Sequence, residues 1–458
     1  MFFRQVLHPD LGCASYVLAD GGEAAVVDPK WAIGDYLDLA EEEGFEITHI
    51  VETHDHADHL SGRGRLAQAT GARIHAPAGA ETGYEHEQLV DGAEIELGNV
   101  KLVAFAAPGH RPEHTAYLVT DRGRTEEVWS VLTGDSLFVA DAARPDLAID
   151  PEDGAGLLFR SLRELMTLED YVELWPGHVG GSLCGGAGMS KKPSSTIGFE
   201  RRFNPLVTLG DERAFVRELT GNLAPQPPNF ERIVELNRGP LLTELAALEP
   251  LTPAGVDELL RAGALLLDGR TPREYDAAHV RGSINVTMVE AAVGTRAAWI
   301  AALETPIVVL GPGELEAREM GELLEAVGFR DLRGYLAGGI GAWQEADLPI
   351  ETTPAIDPAT LAEHIRANRS IVLDVREDDE WEAGHVAHSI HVPYRELREQ
   401  ITDDIRDADK PLAIACSAGN RSSIAAGLLR RAGIENVEHV VDGGVPDLEQ
   451  EGVELEKG

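Results

Sequence analysis

The second half of the chain contains an internal repeat, and this repeat constrains the fold more than any other feature. The segment LLLDGRTPREYDAAHVRGSINV, residues 265–286, recurs as IVLDVREDDEWEAGHVAHSIHV, residues 371–392, with 10 of the 22 aligned positions identical. Within it, Asp268 aligns with Asp374 at an offset of 106 residues. A repeat of this length predicts two copies of one small domain, because about 100 residues are enough to form a hydrophobic core.

Each copy has the pattern of an α/β domain. An apolar run that ends at the shared aspartate predicts a buried strand, and a second apolar run and a helix follow it. These second strands and helices are predicted at 306–311 and 314–327 in copy one, and at 411–416 and 422–432 in copy two. Strands that alternate with helices favour a parallel sheet. With the prolines that flank each copy, the pattern predicts domains at 251–353 and 354–458.

The residues before the repeat show a different pattern. Short, β-branched runs such as AAVVD (24–28), VKLVAFAA (100–107) and VWSVLTGD (128–135) are separated by helical stretches. Such runs predict a layered α/β/β/α sandwich of mixed sheets over residues 1–245. The whole chain is therefore predicted to be of the α/β class, with one sandwich followed by two smaller parallel-sheet domains.

A group of histidines marks the predicted sandwich. Residues 54–59, in the segment THDHADHLSG, directly follow a predicted strand and are rich in metal-binding side chains. Three further candidates each follow an apolar run, and side chains at strand ends are readily preorganised as metal ligands. The candidate ligands are His54, His56, Asp58, His59, His110, Asp135 and His178. Lone histidines are usually structural, and His8, His75, His86 and His114 are predicted to be so.

This constellation resembles the metallo-β-lactamase superfamily over about residues 1–245, which implies an αββα sandwich with metal at one edge. In hydrolases such as glyoxalase II, two metals are held by residues that match all seven candidates. One metal matches His54, His56 and His110, and the other matches Asp58, His59 and His178, with Asp135 bridging them. In persulfide dioxygenases, one Fe(II) is held by residues that match His54, His110 and Asp135, and the other four orient these ligands. All seven positions are present, so the ligands alone leave both chemistries open.

Three features favour the dioxygenase. Arg144 follows Asp135 by nine residues and begins an Arg-x-Asp pattern that persulfide dioxygenases carry. The resemblance implies that Arg144 binds a carboxylate of the thiol carrier, a role that suits a guanidinium group. The segment KKPSSTIGFERRFNPL, residues 191–206, also resembles those enzymes. The third feature is the fused sulfur-handling domain.

The last domain has a reactive group of its own, in the segment LAIACSAGNRSSI, residues 412–424. Cys416 ends a predicted buried strand before a helix, so loop amides and the helix N-terminus favour its thiolate. The segment resembles the rhodanese active loop, Cys-x-x-Gly-x-Arg, whose cysteine carries a persulfide. The resemblance implies that Cys416 is the nucleophile and that Arg421 faces the bound anion. The loop residues that would cradle the substrate are Ser417, Ala418, Gly419 and Asn420. Rhodanese-like phosphatases have one more residue in this loop, so its length favours sulfur over phosphate.

Copy one lacks this chemistry. Gly311 aligns with Cys416, and Glu316 aligns with Arg421, so the nucleophile is missing and the charge is reversed. We expect an inactive rhodanese that spaces or docks the other domains. Dioxygenases fused to rhodaneses tend to carry a cysteine in the glycine-rich segment that follows His178, which makes Cys184 a candidate persulfide relay or substrate contact.

The composition excludes several classes of partner. The chain has 39 Lys and Arg against 79 Asp and Glu, a formal charge of −40, which argues against nucleic acid and anionic lipid. Its three cysteines cannot form a disulfide framework, and Cys13 is expected in the core. No apolar run is long enough for a signal or membrane segment. We expect a cytoplasmic protein with no nucleic-acid or membrane partner.

The order of the domains resembles bacterial fusions of a persulfide dioxygenase with rhodaneses that act in sulfide detoxification. The resemblance implies one Fe(II) per chain, and a thiol persulfide, O2, and sulfite or thiosulfate as small-molecule partners. We also expect a homo-oligomer. Two alternatives remain: a thioester hydrolase with two Zn ions fused to a sulfurtransferase, and a non-catalytic sulfur carrier or redox adaptor. The thiol carrier, whether glutathione, coenzyme A or another, is not defined by the sequence.

Overall fold

The computed structural model describes residues 1–8, 10–180, 182–186, 188–221, 223–289 and 292–458. They form two compact units, one of Met1–Leu245 with Ala326–Gly328 and one of Ala246–Glu325 with Phe329–Gly458. Both copies of the repeat therefore lie mainly in the second unit. Among the described residues, no helix has the length and apolar character needed to pass through a bilayer.

The first unit contains two mixed sheets, each with six strands among the described residues. The first sheet has, in spatial order, β1 (Phe2–His8), β2 (Cys13–Asp20), β3 (Glu23–Val27), β4 (Glu46–Val51), β5 (Arg73–Pro77) and β6 (Glu87–Leu89). The second has, in spatial order, β14 (Ser195–Thr196), β13 (Glu173–Pro176), β10 (Ser130–Gly134), β9 (Thr115–Asp121), β8 (Val100–Ala106) and β7 (Glu94–Leu97). A small hairpin is formed by β11 (Leu137–Phe138) and β12 (Asp141–Ala142). The helices are α1 (Gly34–Glu43), α2 (Arg63–Thr70), α3 (Pro151–Leu165), α4 (Ile197–Phe203), α5 (Glu212–Thr220) and α6 (Phe230–Arg238).

The two sheets pack face to face because alternate residues of their strands are apolar. In β2, Ala14, Tyr16 and Leu18 lie in the core between the sheets, whereas Val17 lies in the core under α1 and α2. On the other side, α3 and α5 cover the outer face of the second sheet. The layers are thus helix, sheet, sheet and helix, and the predicted α/β/β/α sandwich is confirmed.

The second unit contains two five-stranded parallel sheets of identical topology. Copy one has, in spatial order, β15 (Pro250–Leu251), β20 (Leu332–Leu336), β19 (Ile307–Leu310), β16 (Leu265–Asp268) and β18 (Ile284–Asn285). Copy two has β22 (Ala355–Ile356), β27 (Val437–Val440), β26 (Leu412–Ala415), β23 (Ile371–Asp374) and β25 (Ile390–His391). Short antiparallel pairs join β17 (His279–Val280) to β21 (Ile350–Glu351), and β24 (His385–Val386) to β28 (Leu455–Glu456). These parallel sheets confirm the predicted fold class.

The helices of this unit follow the same repeat. Those of copy one are α7 (Pro253–Arg261), α8 (Pro272–Ala277), α9 (Val293–Ile300), α10 (Glu314–Ala326) and α11 (Gly339–Glu345). Those of copy two are α12 (Pro358–Arg366), α13 (Asp378–Ala383), α14 (Asp403–Arg406) and α15 (Asn420–Arg431), with a 3-10 helix at Val445–Glu449. Helix α15 begins two residues before its predicted start, because Gly419 has a left-handed conformation (φ 95°) that turns the chain directly into the helix. Asn420 and Arg421 therefore lie in its first turn.

A buried ion pair repeats at the same place in each copy. The Arg270 guanidinium donates from Nε to Asp268 Oδ1 at 2.9 Å and from Nη2 to Oδ2 at 2.5 Å. In copy two, Arg376 makes the same two contacts with Asp374, at 2.9 and 2.7 Å. Each arginine also donates to a carbonyl beyond the following short helix, so the pair fixes the end of the first strand relative to that helix.

Candidate functional site

Three of the predicted metal ligands meet at one point of the sandwich. His54 follows β4, His110 lies in the loop between β8 and β9, and Asp135 directly follows β10. Their potential ligand atoms lie within 4.8 Å of one another, and all three side chains are buried. His54 Nε2, His110 Nε2 and Asp135 Oδ2 make no hydrogen bond with any described residue. Buried polar atoms are rarely left without a partner, so three of them converging form a ready metal site.

Hydrogen bonds set the orientation of both histidine rings. Thr53 Oγ1 donates to Asp28 Oδ2 at 2.8 Å, so it accepts a hydrogen bond from His54 Nδ1–H at 2.9 Å. His110 Nδ1 lies 3.0 Å from the Arg144 carbonyl oxygen, which can only accept. In both rings the Nε2 lone pair therefore faces the convergence point. Burial also lowers the pKa of His54 and of His110, which favours the neutral, metal-binding form.

The third ligand is held by a residue that the sequence analysis left as structural. The Asp135 N–H donates to His114 Nε2 at 2.9 Å. Burial lowers the pKa of His114 to about 3, so this ring stays neutral and can accept. Although burial of Asp135 opposes ionisation, the nearby His178 and His110 hold its pKa below the usual range, and it is a carboxylate at neutral pH.

The remaining predicted ligands form a second group beside the first. His178 Nε2 lies 3.1 Å from Asp135 Oδ2 and 3.5 Å from Asp58 Oδ2. Asp58 already has two other partners, since His59 Nδ1 lies 2.9 Å from its Oδ1 and the Cys13 thiol donates to its Oδ2 at 3.2 Å. Both oxygens of this carboxylate are therefore engaged by protein groups. Cys13, expected in the core, is buried but contacts this acidic side chain.

His56 lies next to the first group but is held by acidic residues. Its Nε2 is 3.2 Å from Asp28 Oδ1 and 3.4 Å from Glu52 Oε2, and its Nδ1 has no hydrogen-bond partner among the described residues. Burial opposes protonation of His56, but Asp28 and Glu52 raise its pKa well above the usual value. Asp28 thus contacts His56 and, through Thr53, the predicted ligand His54.

Arg144 is engaged by the protein. It donates from Nε and Nη2 to Asp146 at 2.7 and 2.8 Å, and its other contacts are the carbonyl oxygens of Ala224 and Leu183. Four of its five N–H groups are occupied, and its side chain is buried. The predicted Arg-x-Asp pattern therefore forms an internal ion pair rather than an open fork, and substrate binding by Arg144 stays a prediction.

Cys184 is also buried, although it lies in a glycine-rich segment. Its sulfur lies within 4.8 Å of ligand atoms of Asp135 and His178. Burial, with the negative charges of Asp58 and Asp135, raises its pKa well above the ordinary value. Gly181 and Ala187 of the same segment lie outside the described residues. A role for Cys184 in relay or substrate contact stays a prediction.

The other predicted site lies in copy two, about 360 residues later in the chain. Cys416 directly follows β26 and is buried, and the Gly419 N–H donates to its Sγ at 3.1 Å. One loop amide and the start of α15 therefore face the sulfur, which favours an anion there. Of the remaining predicted loop residues, Ala418 is exposed, whereas Ser417 and Asn420 are half-buried.

Arg421 is paired with an acidic residue that the sequence analysis did not single out. Its guanidinium donates to both oxygens of Glu380, at 2.5 and 2.8 Å, and to Ser417 Oγ at 2.8 Å. Although burial opposes ionisation of Glu380, its hydrogen bonds with Arg421 lower its pKa to about 2. The positive charge beside the loop is thus balanced by one carboxylate, and a bound anion competes with that carboxylate for Arg421.

Comparison with known proteins agrees with this geometry. The family model for the metallo-beta-lactamase superfamily matches residues 8–178, and the model for the rhodanese-like domain matches residues 252–346 and 357–451. The chain combines a metallo-β-lactamase domain with two rhodanese-like domains.

Individual relatives divide between the two expected chemistries of the metallo-β-lactamase domain. A mitochondrial persulfide dioxygenase of Bos taurus is 28% identical over 247 residues, covering 52% of this chain and 87% of that protein. A hydroxyacylglutathione hydrolase of Anaeromyxobacter dehalogenans (strain 2CP-C) is 36% identical over 168 residues, covering 36% of this chain and 60% of the hydrolase. The crystal structure of a metallo-beta-lactamase from Staphylococcus aureus subsp. aureus COL is 29% identical, with a TM-score of 0.65, and covers 74% of this chain and 98% of that one. The chain is therefore an enzyme with a metal-binding metallo-β-lactamase fold.

Sequence reasoning missed the residues that orient the metallo-β-lactamase ligands. Asp28 and His114 are common residue types that no local motif marks, and Thr53 begins the segment THDHADHLSG but is not itself a metal-binding type. The one available signal was position, because Asp28 follows β3 at the same edge of the sheet where His54 follows β4. In the rhodanese-like copy two, the missed residue is Glu380, which lies in the repeat itself and aligns with Glu274.

Proposed function

We propose that the metallo-β-lactamase domain is a persulfide dioxygenase that holds one Fe(II) on His54, His110 and Asp135. In this proposal the outer sulfur of a thiol persulfide is oxidised by O2, water supplies the third oxygen atom of sulfite, and sulfite, two protons and the free thiol are released. The observation that carries the proposal is the convergence of three buried ligand atoms without hydrogen-bond partners, two from imidazole and one from carboxylate. Two histidines and one carboxylate are the donor set of non-haem Fe(II) oxygenases. Similarity to the Bos taurus persulfide dioxygenase over 87% of its length supports the same choice.

The state of Asp58 supports one metal rather than two. A second metal on Asp58, His59 and His178 requires a free oxygen of Asp58, yet Cys13 and His59 each occupy one. Displacing both contacts costs free energy, whereas in the first group His54 Nε2 and His110 Nε2 are free and only Asp135 Oδ2 has a contact to exchange, with His178 Nε2. His178 contacts the Asp135 and Asp58 carboxylates and thereby neutralises charge that a second cation would otherwise balance.

The residues around the ligands give the site its preorganisation. Asp28 and Thr53 hold His54, the Arg144 carbonyl holds His110, and the His114 ring holds the backbone of Asp135. His54, His110 and Asp135 would hold an Fe(II) ion, which would supply redox chemistry toward O2. The surrounding residues keep the imidazoles of His54 and His110 neutral and direct the Nε2 atom of each ring toward the metal position.

For the last domain we propose sulfur transfer by Cys416. Its thiolate attacks the outer sulfur of thiosulfate and forms a new sulfur–sulfur bond. The bond to the sulfite group breaks, and sulfite leaves with the electron pair, so that Cys416 becomes a persulfide and no oxidant is required. Arg421 stands next to the loop to pair with the anion, after exchange of its Glu380 contact.

A two-metal thioester hydrolase is the second candidate. His56 Nδ1 lacks a hydrogen-bond partner among the described residues, as a ligand in that chemistry would, and the Anaeromyxobacter dehalogenans hydrolase is 36% identical over its matched segment. A third candidate, a sulfur carrier or adaptor without turnover, predicts that replacing Cys416 changes no rate.

Metal content and O2 uptake of the purified full chain test the proposal. We expect about one iron per chain and O2 consumption with glutathione or coenzyme A persulfide. His54→Ala should lower iron content to about a tenth or less and abolish O2 uptake, because a ligand is lost. Thiosulfate sulfur transfer should be unchanged in the same sample. His86→Ala, in the same domain but outside both groups, is the matched control and should behave as wild type.

Asp58→Asn separates the two chemistries. With one metal, the iron content of this variant stays near one per chain, because Asp58 is not a ligand. With two metals, the variant loses about half its metal. Two zinc ions per wild-type chain, together with no O2 uptake from any persulfide, would contradict the dioxygenase proposal and favour the hydrolase.

A further inference from the structure

A chain of buried polar groups leads from copy one to the nucleophile of copy two. His439, in β27, is fully buried, and its Nδ1 lies 2.7 Å from Oδ2 of Asp276 in α8 of copy one. On the other side of the ring, Nε2 lies 3.0 Å from Ser422 Oγ, and Ser422 Oγ lies 3.4 Å from Cys416 Sγ. Asp276 is 2% exposed, so the whole connection is shielded from solvent.

The partners of His439 determine where its protons are. The Asp276 carboxylate accepts from Nδ1–H, and the Gly419 carbonyl, 2.9 Å from Nε2, can only accept from Nε2–H. The Gly419 carbonyl therefore requires the proton on Nε2, and the ring joins Asp276 of copy one to the loop of copy two.

This proton arrangement directs the hydroxyl of Ser422. The single Nε2–H is shared between the Gly419 carbonyl and Ser422 Oγ, so Ser422 cannot donate to the ring and must donate its own proton elsewhere. Its two acceptors are Cys416 Sγ and the Val440 carbonyl oxygen, both at 3.4 Å. That distance is short for a contact with sulfur but long for one with oxygen, and a thiolate is the stronger acceptor. The Ser422 hydroxyl therefore joins the Gly419 amide in holding the sulfur anion.

We propose that Asp276 is a positioning residue for Cys416 and acts through His439 and Ser422. The copy that lacks a nucleophile thus completes the sulfur site of the copy that has one. This inference rests on the proposed sulfur transfer by Cys416. Asp276 touches no substrate. It holds the His439 ring so that Nε2–H faces the loop, and the ring in turn aims the Ser422 hydroxyl, which stabilises the Cys416 thiolate before attack and the inner sulfur of the persulfide afterwards.

A purely structural role explains this pair less well. Buried ion pairs contribute little net stability, since desolvation offsets their attraction, and apolar residues of similar size often serve as well. Asp276 Oδ1 also has no hydrogen-bond partner among the described residues, so this carboxylate is not arranged for maximal stabilisation. The residue that aligns with Asp276 in copy two, Glu382, is exposed. The acidic residue is therefore buried only in the copy where it faces the other copy's histidine.

Sulfur transfer and thiol reactivity of the full chain test the proposal. Asp276→Asn should lower kcat for thiosulfate-dependent transfer to cyanide by about tenfold, with KM for thiosulfate within about twofold, because a hydrogen bond to a charged group is lost and Arg421 is untouched. Iodoacetamide should modify Cys416 about tenfold more slowly at the same pH, measured by mass spectrometry of the peptide. Ser422→Ala should give the same two losses. The double variant should show no further loss, because both changes interrupt one connection.

Two control variants separate this role from weakened contact between the copies. Glu382→Gln changes the aligned exposed residue, and Asp442→Asn breaks the exposed ion pair between Asp442 and Arg273 of copy one. Both should leave kcat and the alkylation rate unchanged.

Wild-type rates in Asp276→Asn, or a loss of similar size in Asp442→Asn, would overturn the inference. If Asp276→Asn does not fold, Ser422→Ala decides alone, because it leaves the contact between Asp276 and His439 in place. A wild-type protein without sulfur transfer would instead refute the proposed function, while the alkylation rates still measure the connection.

Discussion

The two rhodanese-like copies share a framework but differ in the loop that follows the second parallel strand. Asp268 pairs with Leu310 in copy one as Asp374 pairs with Ala415 in copy two, so Gly311 and Cys416 occupy equivalent positions. In copy two the position carries a thiol. In copy one the chain is folded so closely that a Cβ on Gly311 would lie 2.4 Å from the Ala317 nitrogen.

This difference shows that the framework and the chemistry of a rhodanese-like domain are separable. The Asp–Arg pair is the same in both copies, because it positions a strand and a helix whatever the loop contains. The loop needs space for a side chain, and copy one has lost that space together with the nucleophile. What copy one retains is a surface that contacts copy two, where Ser423 Oγ donates to Asn285 Oδ1 at 2.7 Å.

Substitutions at the two equivalent loop positions, Cys416 and Gly311, should produce the largest effect on sulfur transfer. Cys416→Ser should reduce thiosulfate sulfur transfer by about a thousandfold or more, because the hydroxyl is a far weaker nucleophile and cannot carry a persulfide. O2 uptake with a persulfide should be largely unchanged. The reciprocal variant, Gly311→Cys, should gain no activity and should destabilise copy one by about 1–3 kcal/mol through overpacking.

The cyanide assay and the mass of the persulfidated peptide measure these outcomes. Sulfur transfer by Gly311→Cys in a Cys416→Ser background would show that the two loops are interchangeable and that the close packing around Gly311 is not a barrier.

Breaking the buried Asp–Arg pair that both copies share should have an intermediate effect on stability, and the effect should be of equal size in each copy. Asp268→Asn and Asp374→Asn each leave a buried arginine without its carboxylate, which costs about 3 kcal/mol. Hydrogen exchange measured on peptides of β16 and β23 reports each copy separately. Each variant should accelerate exchange in its own copy. A large effect in one copy with almost none in the other would show that the frameworks are not equivalent.

The smallest expected effect is a difference in acid sensitivity. Glu380 has its pKa lowered to about 2, below the ordinary 4.5, chiefly because its bonds to Arg421 outweigh burial. Its stabilising contribution is therefore complete above about pH 4.5 and is lost as the pH falls towards 2. The ion pair of Glu380 and Arg421 adds about 1 kcal/mol or less to the free energy of unfolding, because solvent screens this partly exposed pair.

Denaturant unfolding at pH 6 and pH 3 of wild type, Glu380→Gln and Glu274→Gln measures this contribution. The difference in free energy of unfolding between the wild type and Glu380→Gln should be larger at pH 6 than at pH 3. Glu274, whose pKa is lowered by hydrogen bonds from Thr271 in the equivalent place of copy one, should show a smaller change. Equal differences at both pH values for Glu380 would contradict the expectation.

Much of this architecture follows from local sequence. The repeat places Asp268 and Asp374 at the ends of equivalent strands, since one offset preserves the register of every neighbouring element. The group of His54, His110 and Asp135 is predictable for a similar reason. Metal-binding residue types directly after apolar strands are held by rigid elements, and several such residues in one domain predict a shared site.

Other features depend on contacts between residues far apart in the chain. Asp276 and His439 are separated by 163 residues, and nothing in either segment marks them as partners. The engaged state of Arg144 depends on Asp146 and on the Ala224 carbonyl, so an Arg-x-Asp pattern alone cannot tell an open fork from an internal pair. Burial of Cys184 is equally invisible, because a glycine-rich segment indicates freedom of the backbone rather than its final packing.

Asp28 has a consequence for how this metal centre could change under selection. One of its oxygens accepts from the Thr53 N–H and faces His56, and the other accepts from the Thr53 hydroxyl that holds His54. A substitution at Asp28 would therefore disturb both histidines at once and would not convert one metal stoichiometry into the other. Cys13 differs from Asp28 in this respect, because its thiol contacts Asp58 and His59 but neither His54 nor His110, so a substitution there would disturb the second group alone.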